Sequence, residues 1–173
     1  MKVIADLIDK LNLMIGDALK WAMPIVVFVC ALVAVLRYGF GVGYPWLSEI
    51  YVWLNGAAFM LAAPYLLCVD KHVRVDFLYG KLSKGGQAIV NIVGTVVLLW
   101  PMLYVIAIKS LPGISRSWRV LEQSPTLGGL PFMYLLKSCL LAFCILLALQ
   151  GLSLVIRSII TLRNPTTEEQ SHG

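Results

Sequence analysis

The feature that most constrains this chain is a set of four long apolar runs, at residues 18–36, 50–69, 88–108 and 130–156. A helix needs about 20 mainly apolar residues to cross the hydrocarbon core of a bilayer, and each run is near or above that length. None of the runs alternates apolar and polar residues as the strands of a membrane barrel do. We therefore predict an all-α integral membrane protein with four transmembrane helices, forming a single domain over residues 1–163.

The composition agrees with a membrane protein and argues against two other classes. Sixty per cent of the residues are hydrophobic and 13% are charged, whereas soluble domains carry about 45–50% apolar and about 25% charged residues. The net charge is +5. The basic residues lie in short segments between the apolar runs instead of along one stripe, so we expect no nucleic-acid partner.

The sequence offers few residues for catalysis or for metal binding. Both histidines, His72 and His172, lie outside the apolar runs, and the four cysteines form no C-x-x-C pair. Phosphate-binding glycine motifs are missing, and no Asp or Glu lies near the middle of a run. We therefore expect no enzyme activity, no cofactor and no metal. Because transporters usually place polar ligands deep in the bilayer, the pattern favours an accessory subunit over a complete transporter.

The lysines and arginines outside the runs predict the orientation of the chain. Nine of them lie in the N-terminal segment, the second loop (70–87) and the C-terminal tail, against four in the first and third loops. Cytoplasmic loops of membrane proteins are enriched in these residues, so we predict that both termini are cytoplasmic. Residues 164–173 are polar, and we predict a disordered tail there.

An amphipathic pattern precedes the first apolar run. Apolar residues recur at helical spacing over residues 3–19, and the charged residues fall largely between them. This pattern predicts a helix that lies in the membrane surface. The alternative is a cytoplasmic extension of the first transmembrane helix.

Charged residues near the ends of the runs predict side-chain pairs. Lys137 is the one charged residue well inside a run; its ammonium group could snorkel to the outer interface, pair with Glu49 or Glu122, or contact an anionic substrate. Arg37 and Glu49 lie at the outer ends of the first two runs. We predict that these two residues pair and fasten the first two helices together.

Prolines interrupt the helical pattern at several points. Pro24, Pro64 and Pro101 lie inside three of the runs, and each predicts either a local kink or a hinge that moves during transport. In the third loop, a break at Pro112-Gly113 predicts a separate short helix around Trp118. The side chain of Trp118 suits a position at the membrane interface.

A series of short motifs follows in a fixed order along the chain. These are Arg37-Tyr38 at the end of the first run, Trp46, Ser48-Glu49 and Trp53 at the start of the second, Lys71-His72-Val73-Arg74-Val75-Asp76 after it, and Glu122-Gln123-Ser124-Pro125, Gly128-Gly129-Leu130-Pro131 and Lys137 around the start of the fourth. In the order and spacing of these motifs, the chain resembles the small membrane subunit (DctQ type) of tripartite ATP-independent periplasmic (TRAP) transporters.

This resemblance implies a function and a set of partners. Such systems combine a periplasmic substrate-binding protein, a large membrane subunit and a small four-helix subunit. The large subunit holds the substrate and ion sites and moves as an elevator, while the small subunit braces its stationary part. The resemblance thus implies carboxylate import across the bacterial inner membrane, driven by an ion gradient, usually sodium, instead of ATP.

The resemblance also implies structural and interface roles for individual residues. Tryptophans would anchor the outer interface: Trp46, Trp53 and Trp118. Charged residues would fix the turn after the second span: His72, Arg74 and Asp76. Small residues would bury against the large subunit: Gly56, Ala57, Ala62, Ala63 and Gly94.

Further partners and one alternative complete the prediction. Phospholipids would contact the basic residues at the cytoplasmic face, and the periplasmic binding protein would dock transiently. The alternative is a small self-sufficient exporter that works as a homo-oligomer. Such an exporter would need a membrane-embedded Glu in an early span, which the sequence lacks.

Overall fold

The computed structural model describes residues 2–69 and 82–163. These residues form helices joined by short connections, and no strand occurs among them. The helices are α1 (Lys2–Lys20), α2 (Ala22–Gly39), α3 (Pro45–Cys68), α4 (Lys84–Val93), α5 (Trp100–Arg119) and α6 (Met133–Arg163), with a π-helical segment, Gly94–Leu99, that joins α4 to α5.

Four helical stretches within the described residues are long and apolar enough to cross a membrane. They are Lys2–Gly39, Pro45–Cys68, Lys84–Arg119 and Met133–Arg163. The predictions of an all-α fold and of four potential spans are therefore confirmed.

Two sets of sequence predictions fall outside the described residues. The first concerns the turn after the second span and its charged residues: His72, Arg74 and Asp76. The second is the predicted disordered tail at 164–173.

The third span is one long helix that changes its hydrogen-bond pattern in the middle. In the π-helical segment the backbone N–H of Trp100 donates to the carbonyl of Thr95, five residues back. Farther on, α5 continues through Pro112 to Arg119, so the prediction of a break and a separate short helix around Trp118 is wrong. A single proline removes one backbone hydrogen bond, which a transmembrane helix tolerates.

The π-helical segment packs closely against α6 at Gly151. A Cβ on Gly151 of α6 would lie 2.9 Å from Cγ2 of Thr95 and 3.0 Å from Cδ2 of Leu99. Beside this contact, the indole N–H of Trp100 donates to the carbonyl of Ala148 at 3.4 Å. The absence of a side chain at Gly151 therefore permits the close approach of the two helices.

The spanning helices form a row in which each packs mainly on its neighbours. The order is α2, α3, α6 and then the third span (α4, the π-helical segment and α5). A small buried core lies between α5 and α6: Leu103, Cys144 and Leu147. In α6, 39% of the most apolar stretch is buried, against 6% to 11% in the other three spans. Since the row buries little of its own apolar surface, most of that surface is free for lipid or for another protein.

Helix α1 packs against one end of this row, beside the end of α3 and the second half of α6. It packs on both α3 and α6, and a Cβ on Gly16 would overlap the ring of Tyr65, whose Cδ2 would be 2.1 Å away. The sequence correctly predicted a helix over residues 3–19. Its position in the membrane surface remains a prediction.

Candidate functional site

Two groups of polar side chains hold the helices together, at opposite ends of α3 and α6. The first, which we call the α1–α6 cluster, joins α1 to the last turns of α6: Asp6, Asp9, Asn12, Gln150, Ser153 and Arg157. The second, the loop cluster, joins the start of α3 and the start of α6 to the connection between α5 and α6. It consists of the side chains of Glu49, Glu122, Ser124 and Lys137 and the backbone N–H of Leu130.

Asp9 is the centre of the α1–α6 cluster. Its Oδ1 accepts hydrogen bonds from Nε2 of Gln150 at 2.8 Å and from Oγ of Ser153 at 2.6 Å. Its Oδ2 accepts from Nε and Nη2 of Arg157, at 2.9 and 2.5 Å. Arg157 also donates to Oδ1 of Asp6 at 2.7 Å. The carboxylate of Asp9 thus has donors from three successive turns of α6, which fixes the register of α1 on that helix.

Asn12 extends the cluster into the protein interior. Its side chain is 1% exposed, and its Nδ2 donates to Oε1 of Gln150 at 2.6 Å. Ser153 is fully buried and lies 3.3 Å from the carbonyl of Ala5. Buried polar groups are costly unless they are paired, so this cluster makes the contact between α1 and α6 specific for one geometry.

Sequence reasoning missed the α1–α6 cluster, although a signal for it exists. Ala5, Asp9, Asn12 and Gly16 recur at spacings of three and four residues and so share one face of α1. A matching set on α6 has the same spacing: Gln150, Ser153 and Arg157. Small residues beside polar ones on two helices indicate close packing with interhelical hydrogen bonds.

The face of α1 opposite this contact carries its large apolar side chains. Val3, Leu7 and Met14 are 78%, 69% and 62% exposed. The amphipathic pattern therefore identified the helix correctly. However, the apolar face points away from the other helices, and the small and polar face packs on them.

Glu49 is the centre of the loop cluster. One carboxylate oxygen accepts a hydrogen bond from the hydroxyl of Ser124, and the other accepts from the backbone N–H of Leu130 at 2.7 Å. A Cβ on Gly129 would lie 2.7 Å from both carboxylate oxygens, so glycine at this position leaves room for the carboxylate where it lies. Glu49 therefore holds the connection between α5 and α6 against the first turns of α3.

The predicted pair between Arg37 and Glu49 is not formed. The carboxylate of Glu49 is occupied by Ser124 and by the backbone, and among the described residues Arg37 has no ion pair. Arg37 instead lines an open cleft of about 350 Å³ between the end of α2 and the start of α3. The physical reason is that the loop brings a backbone N–H and a hydroxyl directly to Glu49.

Lys137 pairs with Glu122, one of the three alternatives that the sequence left open. Its Nζ lies 2.5 Å from Oε2 of Glu122, and both side chains are only a little over a third exposed. The hydrogen bond from Lys137 lowers the pKa of Glu122 below its ordinary value. The pair ties the start of the connection between α5 and α6 to the second turn of α6.

The aromatic residues predicted at the outer interface lie near the loop cluster. The ring of Trp118 lies 4.7 Å from that of Tyr134, and its indole N–H donates to Oγ of Ser138 at 2.8 Å. Trp46 is 44% exposed and Tyr38 is 85% exposed, whereas Trp53 is half-buried. Trp118 therefore joins α5 to α6, while Trp46 and Tyr38 present their rings to the surroundings.

Neither cluster has the features of a catalytic or metal centre. Over residues 2–69 and 82–163, no group of three or more His, Cys, Asp or Glu side chains is placed to hold a metal ion. The carboxylates of Asp9, Glu49 and Glu122 are each bonded to groups of this chain. The two clusters therefore act as structural ties between helices.

The comparisons with known proteins identify the family. The family model described as "Tripartite ATP-independent periplasmic transporters, DctQ component" matches residues 25–161. No curated protein and no solved structure matches the chain significantly. The matched range covers the four spans and the whole loop cluster, and it begins after α1. With this match over most of its length, and with four helices long and apolar enough to cross a membrane, the chain belongs to the DctQ family, the small membrane components of TRAP transporters.

Proposed function

We propose that this subunit braces the large membrane subunit of its transporter and carries no substrate site of its own. The transporter would import a carboxylate delivered by a periplasmic binding protein, and a sodium gradient would drive it. One observation carries the proposal. The carboxylates at the helix ends are bonded within the chain, whereas the apolar sides of the helix row remain exposed.

The polar groups of the described residues argue against a substrate site in this chain. A site for a carboxylate and a coupling cation needs charged or polar ligands within the bilayer. Here Asp9, Glu49 and Glu122 are bonded to neighbouring helices or to the loop, and the central turns of the described spans contain no carboxylate. We therefore assign the substrate and ion sites to the large subunit.

The row of helices supports the bracing role. The α1–α6 cluster and the loop cluster tie the helices at both ends of the row, and each spanning helix packs mainly on its neighbours. This row leaves large apolar side chains exposed along its helices. Such a row suits a support that lies against the stationary part of a larger membrane protein.

The proposed orientation places the loop cluster on the periplasmic side of the bacterial inner membrane. Both termini and α1 would then lie on the cytoplasmic side, as the distribution of Lys and Arg predicts. The exposed apolar face of α1, including Val3, Leu7 and Met14, would lie in the membrane surface. Anionic phospholipids would contact the nearby basic residues.

Reconstitution tests the proposal. The large subunit is placed in proteoliposomes with and without this chain, and uptake of labelled carboxylates is measured in the presence of the binding protein and a sodium gradient. We expect uptake only when all three proteins are present, and loss of uptake when potassium replaces the sodium gradient. If this chain alone moves solute, the self-sufficient exporter is correct and the bracing role is wrong.

A further inference from the structure

One polar side chain lies in the middle of a span and faces away from the rest of the protein. Asn55 follows Pro45 by ten residues and precedes Cys68 by thirteen, so it lies near the centre of α3. Its side chain is exposed, and it forms no hydrogen bond with any described residue. At about 1.5 Å per residue, Asn55 lies about 15 Å from the start of α3 and about 20 Å from its end, which places this amide in the hydrocarbon region.

Asn55 belongs to a coherent exposed face of α3. The face, which we call the α3 outer face, also contains Val52, Phe59 and Leu66, which are 54%, 80% and 39% exposed. Their spacings of three, four and seven residues place all four side chains on one side of the helix. Beside them, a Cβ on Gly56 would meet no atom within 4 Å. The α3 outer face is therefore open along about 20 Å and is least bulky next to Asn55.

The other sides of α3 are occupied within the chain. Ala58 and Pro64 are buried, and Tyr65 is covered by Gly16 of α1. Helices α2 and α6 pack on the two flanks of α3. The α3 outer face is thus the side that residues 2–69 and 82–163 leave uncovered.

Chemistry distinguishes this face from the other exposed apolar surfaces. Lipid tails can cover side chains such as Phe28 on α2 or Leu98 in the π-helical segment, which are 68% and 71% exposed. Lipid tails offer no hydrogen bond to an amide, and an unpaired polar group in hydrocarbon is costly. A neighbouring helix that carries a polar side chain can satisfy the amide, and glycine lets such a helix approach closely.

We propose that the α3 outer face is the docking surface for a transmembrane helix of the large subunit, and that this helix presents a hydrogen-bonding side chain opposite Asn55. The proposal rests on the proposed function, since it requires that large subunit as the partner. Gly56 admits the partner helix, and Phe59 fills the groove one turn farther along α3.

Photo-cross-linking tests the contact. The photoreactive amino acid p-benzoylphenylalanine replaces Phe59 in one variant and Phe28, the matched control on α2, in another. Each is expressed with the large subunit and irradiated in native membranes. We expect a cross-link to the large subunit from position 59 and little from position 28. Cross-links from 59 to lipid only, to a second copy of this chain, or no more than from 28 would overturn the proposal.

A second pair of variants tests the role of the amide. Asn55→Leu should weaken co-purification with the large subunit on the order of threefold to tenfold, as expected for one interhelical hydrogen bond in a membrane. The thermal stability of the chain alone should not fall, because Asn55 forms no hydrogen bond with any residue that the structure describes. Asn12→Leu, which removes a buried amide that does bond within the chain, should instead lower that stability.

The outcomes separate this inference from the proposed function. If the chain co-purifies with the large subunit and Asn55→Leu has no effect, the docking surface is wrong while the bracing role stands. If the unmodified chain does not associate with the large subunit at all, both proposals fail.

Discussion

Replacement of Asp9 should release α1 from the rest of the protein. Asp9 is the shared acceptor for Gln150, Ser153 and Arg157 on α6, so Asp9→Ala removes the centre of the α1–α6 cluster in one step. The spanning helices keep their own contacts and the loop cluster. We therefore expect local opening of α1 instead of unfolding of the whole chain.

The size of the effect follows from the exposure of the three donors. Arg157 is half exposed, at 51%, and keeps Asp6, so its loss adds less than about 1 kcal/mol. Ser153 keeps the carbonyl of Ala5 at 3.3 Å. Gln150, which is 4% exposed, loses its acceptor outright, and such a loss costs about 1–3 kcal/mol. The total is about 1–4 kcal/mol, or on the order of a 5- to 900-fold rise in the open population.

Hydrogen–deuterium exchange measures this opening. Exchange of peptides from residues 2–20 is followed in nanodiscs, for the unmodified chain and for Asp9→Ala. Asp17→Ala is the matched control, because Asp17 lies on the same helix in an exposed ion pair with Lys20 and should cost little. If the two variants exchange at the same rate, the α1–α6 cluster does not hold α1 in place.

Three further perturbations test the other contacts. Gly151→Ala should destabilise the protein by about 1–3 kcal/mol, since the added Cβ would lie 2.9 Å from a methyl carbon of the π-helical segment. Thermal unfolding in detergent measures this loss of stability. The control is Gly113→Ala, which has open space around the added Cβ and should be neutral or slightly stabilising. Glu49→Gln should make the connection between α5 and α6 more sensitive to limited proteolysis, because its two acceptor oxygens hold that connection; unchanged cleavage would contradict the role of the loop cluster. Because the pKa of Glu122 is lowered from 4.5, its pair with Lys137 should stabilise the fold above that pH and cease to do so as the pH falls through the lower folded-state pKa. Melting temperatures measured against pH should therefore fall less steeply in acid for Lys137→Met than for the unmodified chain, and equal slopes would contradict a stabilising role of the pair.

The sequence predicted the features that depend on one helix at a time. Hydropathy located the four spans and periodicity located α1, because both patterns reflect the surroundings of a single segment. The pair between Lys137 and Glu122 could also be listed from the sequence as one alternative, since few acidic residues lie near the same helix ends as Lys137. These predictions required no knowledge of how the helices are ordered.

Predictions that depend on the course of the backbone were less successful. Arg37 and Glu49 lie at the facing ends of the first two apolar runs, so the sequence pattern suggests that they pair. Instead, the connection after α5 brings the hydroxyl of Ser124 and the N–H of Leu130 to the carboxylate of Glu49. That connection contains positive φ angles at Leu121 and Gly128, which hydropathy does not encode. The break at Pro112 was likewise expected from local rules, and the long helix overrides it.

The row of helices also explains why α1 packs on the protein through its small and polar face and leaves its large apolar residues exposed. A compact bundle would bury the large apolar residues of α1 in its core, yet here Leu7 and Met14 are exposed and Asp9 and Asn12 face the protein. In a membrane, lipid can solvate the apolar side, so apolar contact gives little preference for protein over lipid. Hydrogen bonds to α6 do give that preference, because lipid tails cannot replace them. The same reasoning applies to Asn55: a polar group on an otherwise apolar helix selects a protein neighbour, within the chain for Asp9 and in the large subunit for Asn55.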